Sequence, residues 1–100
     1  MPYIKPDDRR RLDPLIGPLA AQIQTEGEAN YTITRILDTL YNRPPSYRAL
    51  NTAMGVLACV QAELYRRVAA PYEDKKMAES GDVYGERATS TAQTREGYRE

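Results

Sequence analysis

The strongest constraint on this chain is a stripe of apolar side chains at helical spacing, set directly after a double proline. The segment Asn42-Arg43-Pro44-Pro45 cannot continue a helix, because proline lacks the amide donor and crowds the preceding turn. Ser46 follows, in position to cap a new helix. Tyr47, Leu50, Met54, Leu57, Leu64 and Val68 then fall on one helical face, widened by Ala53 and Val60. The pattern predicts the longest helix of the chain, running to about Ala70. Gly55 sits inside it at a cost of about 1 kcal/mol relative to alanine, which leads us to expect close approach of another helix. Pro71 is expected to end or kink this helix.

The rest of the chain is punctuated in the same way. Pro6, Asp7 and Asp8 suit the start of a short helical turn over 6–11. A second start is expected at Asp13 with Pro14 behind it, carrying Leu15, Ile16, Leu19, Ala20 and Ile23 on one stripe. Gly17 and Pro18 inside that stripe argue for a kink or a later start. Thr25 and Glu28 have the spacing of a capping box, and Ile33, Ile36, Leu37 and Leu40 give a helix over about 28–41 its apolar face. Tyr31-Thr32-Ile33-Thr34 has strand-like composition but no strand partner, so it is assigned to that helix. Residues 72–80 read as a short polar helix stopped by Gly81, and 85–100 as a disordered tail. The expected fold is all-α: a small bundle of three main helices, a short C-terminal helix and a flexible tail, with one helical domain over 1–84. Three short helices bury little, and small scaffolds need a staple. With no disulfide and no metal site, the staple expected is homo-oligomerisation.

Composition excludes several function classes. Fourteen basic residues balance fourteen acidic ones, whereas nucleic-acid binders carry a basic excess. Zero net charge also suits a chain that hides surface in an oligomer. No apolar run approaches the ~20 residues of a membrane span, and 1–11 lacks the apolar core of a secretory signal. A cytoplasmic location, without membrane partner, is expected. There is no histidine, which removes the commonest general base and metal ligand. The single cysteine, Cys59, lies among Val56, Leu57, Ala58 and Val60 and reads as a buried small hydrophobe. No phosphate-binding glycine loop is present. Glu26 and Glu28 read as helix-start acids, and Glu73 and Asp74 beside Lys75 and Lys76 as a solvated face. No catalytic residue, metal ligand or cofactor is expected, and the chain is not read as an enzyme.

All eight aromatic residues are tyrosines. A tyrosine has a flat apolar ring and a hydroxyl that wants a partner, so it suits either a core boundary or a polar binding surface. Glu63 stands three residues before Arg66 and four before Arg67, the spacing of intrahelical ion pairs; the two arginines could instead form a fork for phosphate or carboxylate. Tyr31 and Arg35 share a helical face beside Asn30. The candidate ligand-binding set is therefore Tyr31, Arg35, Tyr65, Arg66, Arg67, Tyr72, Lys75 and Tyr84.

Three blocks carry a family resemblance. They are Pro2-Tyr3-Ile4-Lys5-Pro6-Asp7-Asp8-Arg9; Glu26-Gly27-Glu28-Ala29-Asn30-Tyr31 with Ile33-Thr34-Arg35; and Gly55-Val56-Leu57 with Glu63-Leu64-Tyr65-Arg66-Arg67. With the ending Pro71-Tyr72-Glu73-Asp74-Lys75-Lys76 and Gly81-Asp82-Val83-Tyr84, the chain resembles an uncharacterised family of small helical proteins of phages, prophages and bacteria. The resemblance spans about 2–84. Members end near the position of Tyr84, so 85–100 is an extension to which nothing carries over. In the long-helix block, Ala58 stands where the family has an acidic residue. A polar ending with a recognisable pattern implies contact with a subunit or ligand.

Two functions are consistent with these readings. One is a non-enzymatic oligomeric binding protein that sequesters an anionic nucleotide-type ligand, a sponge for an immune signal in the host cytoplasm if the chain is phage-encoded. The other is a phage accessory, assembly or regulatory module that docks a host or phage protein through 71–84. DNA binding through Arg9, Arg10 and Arg11 is the weakest reading, because Asp7, Asp8 and Asp13 flank them.

Overall fold

The computed structural model describes residues 1–85; the tail expected from 85 onward lies, apart from Gly85, outside the described residues. Its elements are α1 (Pro6–Gln22), α2 (Glu26–Tyr41), α3 (Tyr47–Leu64), a π-helical turn (Tyr65–Ala69) and α4 (Ala70–Ser80). The all-α class is as expected, and no strand occurs among the described residues.

Side-chain caps open two of the helices, α2 and α3. Thr25 is the N-cap of α2, and its Oγ1 accepts the Glu28 N–H at 3.1 Å. The Glu28 carboxylate reaches back to the Gln24 N–H at 2.7 Å, one residue beyond the usual reciprocal partner. The Ser46 hydroxyl accepts the Ala49 N–H at 3.0 Å and opens α3. At the far end Gly81 closes α4, its N–H bonding the Met77 carbonyl, with φ at +94°, a conformation other residues avoid.

Two expectations about proline are corrected. The N-terminal segment is one helix, not a turn followed by a second start at Asp13; its N-cap is Lys5, and Pro14 and Pro18 lie inside it. Each ring removes one amide donor and frees a carbonyl four residues back, at Arg10 and Pro14. Both residues are exposed, so water can take those acceptors. Pro71 likewise does not end the last helical run, which continues to Ser80. The π-turn ahead of it absorbs the defect: the Ala70 N–H reaches five residues back to the Tyr65 carbonyl. The wider turn loosens the ladder just where Pro71 has no donor to offer.

The chain divides into two units, Met1–Ala62 and a second beginning at Glu63. In the first, an N-terminal strap runs beside α1, with Arg9 Nε donating to the Ile4 carbonyl at 2.8 Å. Tyr3, Ile4, Leu12 and Ile16 line a shallow concavity there. No two of α1, α2 and α3 lay a face on one another. In the second unit, α4 continues directly from the π-turn.

No described residue is buried. A core from three helices with Cys59 inside it is the expectation from the apolar stripes; Cys59 is instead exposed. The physical reason is that an apolar stripe excludes water only when another stripe faces it, and among the described residues none does. Close approach of a helix at Gly55 is also absent: a Cβ added there meets nothing within 4 Å.

Candidate functional site

The expected site residues fall into two groups, one in each unit, and each is described by itself. In the first unit, Tyr31 and Arg35 lie one turn apart on α2. Arg35 Nη1 donates to the Tyr31 hydroxyl at 3.0 Å, and the guanidinium carbon stands 5.9 Å from the ring centroid. That is the range of a cation–π contact. Beside them the Thr34 hydroxyl reaches Asn30 Oδ1 at 3.5 Å.

The second unit brings together more of the set. Arg66 donates to Glu63 at 2.8 Å, so the intrahelical pair expected from the spacing forms. Arg67 follows on the same π-turn. Tyr65 donates its hydroxyl to Glu73 Oε1 at 2.9 Å, linking the π-turn to α4. The hydrogen bond and the negative charge of Glu73 hold the Tyr65 phenol above its usual value of 10.0, with Asp74 and Tyr84 adding to the same direction. Tyr72 carries a cation over its ring, but it is Lys76, with Nζ 5.6 Å from the centroid, rather than Lys75. Lys76 also reaches Glu79 at 3.5 Å.

Two residues here were missed from the sequence. Lys76 was legible, since it stands four residues after Tyr72 on one helix. Glu73 was not, because a pair eight residues apart does not line up on a straight α-helix. One α-turn of 3.6 residues plus the wider π-turn brings Tyr65 and Glu73 to the same side.

Past α4 the chain folds back at Gly81, and Asp82 Oδ1 accepts the Tyr84 N–H at 3.0 Å. This bend and α4 enclose an open concavity of about 540 Å³. Its lining combines Met77, Val83 and Tyr84 with the carboxylates of Glu73, Asp74 and Asp82 and a single ammonium, Lys76. The local field is therefore negative, and Tyr84 faces an acidic surface rather than a cationic one. No group of three or more metal-ligating side chains occurs among the described residues.

The arginines of the N-terminal segment are also engaged: Arg9 with the Ile4 carbonyl, Arg10 with Asp7, and Arg11 with Asp8 at 3.2 Å. No described helix is long and apolar enough to cross a membrane. Neither a curated protein nor a solved structure matches the chain. A family model described as a domain of unknown function, DUF6899, matches residues 1–83, and the chain belongs to that family.

Proposed function

We propose that the chain is a non-enzymatic binding protein that works as a homo-oligomer, with the tyrosine- and arginine-bearing stretch 63–84 as its binding surface. One observation carries the reading. Side chains cap α2 and α3, yet every large apolar side chain on the described helices is exposed or half-exposed in the single chain. Burying one such side chain is worth about 1.5–3 kcal/mol. A chain that leaves whole stripes in water gains its stability from association. Light scattering of the purified protein tests this: a mass well above the 11.3 kDa of one chain is expected. A monomer across the micromolar range sinks the reading.

In its sharper form, this reading is sequestration of an anionic nucleotide-type ligand by a phage-encoded protein. Arg66, Arg67 and Lys75 supply cations for phosphate, and the rings of Tyr65 and Tyr72 supply stacking faces. The ligand must compete with Glu63 for Arg66. Calorimetric titration with cyclic di- and trinucleotides and ADP-ribose derivatives tests it. Absence of heat across that panel removes the nucleotide.

A protein-docking module is the second reading, and the concavity of α4 supports it. Three carboxylates around Met77, Val83 and Tyr84 suit a basic, partly apolar peptide better than a phosphate. Truncation after Ala70 should then abolish capture of a protein partner. Unchanged capture excludes the docking surface.

A further inference from the structure

We propose that α3 binds α3 of a second copy of this chain, parallel and in register, through a heptad seam in which Gln61 forms the one polar layer. The proposal rests on the oligomeric reading above and names the surface that makes the oligomer.

The seam is written in the spacing. Tyr47, Leu50, Met54, Leu57 and Gln61 succeed one another at intervals of three and four, and Leu64 continues the series at the end of α3. Tyr47, Met54 and Gln61 take the first position of each heptad and Leu50, Leu57 and Leu64 the fourth, the register of a coiled-coil seam. The structure leaves this row uncovered: Tyr47 is 84% exposed, Met54 65%, Leu50 50% and Leu57 39%. These side chains would form the centre of the contact; a standard interface takes ~800 Å² from each partner. Ala53 and Val60 on one flank and Ala58 on the other are small or apolar, so they let a second helix approach.

The occupant follows from charge. Between Arg48 and Glu63 the helix carries no ionisable side chain apart from the Cys59 thiol. A charged partner would find nothing to complement, whereas an identical helix meets no like charge and strips water from none. The stripe of α2 differs, because Arg35 and Asp38 interleave with it. Arg48, Gly55, Thr52 and Cys59 all fall on the side of α3 away from the seam.

The direction follows from Gln61. Its amide both donates and accepts, so two copies facing each other satisfy one another. Parallel, in-register pairing sets Gln61 against Gln61. Antiparallel pairing centred on the uncharged stretch sets it against Leu50 and leaves a polar group in an apolar layer. A lone polar residue in a seam is also what selects one register among several.

The test uses the full chain. Leu57→Glu should weaken association at least 100-fold by light scattering and concentration-dependent melting. Gln61→Leu should tighten it about 10-fold or more while allowing mixed assembly states. With Cys59 replaced by serine, Met54→Cys should oxidise to an interchain disulfide, whereas the native Cys59 should not. If Leu57→Glu leaves the mass unchanged and Gln61→Leu is neutral, α3 is not the interface, although the oligomeric reading stands. If Leu57→Glu dissociates the assembly but Met54→Cys does not cross-link, pairing is not parallel and the proposal fails. A monomeric wild type refutes this proposal and the oligomeric reading together.

Discussion

Replacing Gly55 by alanine measures what lies against the outer side of α3. Glycine inside a helix is less favourable than alanine by about 1 kcal/mol, because it loses more backbone freedom on folding. Two structural facts decide whether that gain is realised here. Gly55 has ordinary helical dihedrals, since the positive-φ glycine is Gly81, and an added Cβ meets nothing within 4 Å. Neither strain nor a clash offsets the propensity term. Gly55 also lies off the seam through Leu50, Leu57 and Leu64, so association should not bring a neighbour onto it. The expected outcome is a gain of about 1 kcal/mol, or roughly 4–8 °C in Tm for a domain of this size. The assay is thermal and urea unfolding followed by circular dichroism, at one fixed protein concentration because assembly makes Tm concentration-dependent. A loss of stability, or a smaller assembly, would refute the reasoning. It would mean that a helix does approach Gly55 and that the seam lies elsewhere.

Three further outcomes follow from local geometry. Thr25→Ala removes the acceptor for the Glu28 N–H and should cost about 1 kcal/mol, read by urea unfolding, while Thr25→Ser should keep most of it. Tyr65 should titrate above 10.0 by ultraviolet absorbance, and Glu73→Gln should bring it down. Because the folded phenol is raised, its bond to Glu73 contributes stability that is present below pH about 10 and lost as pH rises through the folded value. An unshifted Tyr65 in the wild type would mean that the bond across the π-turn is absent. Gly81→Ala forces a side chain into a conformation at φ +94° that costs on the order of 1–3 kcal/mol. It should fray the end of α4, seen as faster hydrogen exchange at the Gly81 amide, and unchanged exchange would contradict it.

Where the fold was legible, the information was local. A hydroxyl at Thr25 with a carboxylate three residues on, a serine after Pro44-Pro45, and a glycine at 81 each act within one turn of themselves. The structure uses all three as expected. Prolines were the hard case. Their cost depends on whether freed carbonyls can reach water, and on an exposed helix they can, so Pro14 and Pro18 sit inside α1. Burial was harder still. Cys59 has apolar neighbours in sequence, but burial is a property of what faces a residue, and among the described residues Cys59 stays exposed.

The candidate site divides along the same line. Pairs one turn apart, Tyr31 with Arg35 and Glu63 with Arg66, were readable from spacing and are present. The acidic cast of the concavity around Tyr84 was not, because it needs the reversal at Gly81 to gather Glu73, Asp74 and Asp82. By itself the sequence determined the helical class, the caps, the loop before α3 and the apolar stripes, all of them set by interactions within a few residues. Only the tertiary structure decided that the stripes stay open, and that Tyr65 is tied to Glu73 across a π-turn. Both depend on hydrogen-bond register and on facing surfaces, which a list of residues does not contain.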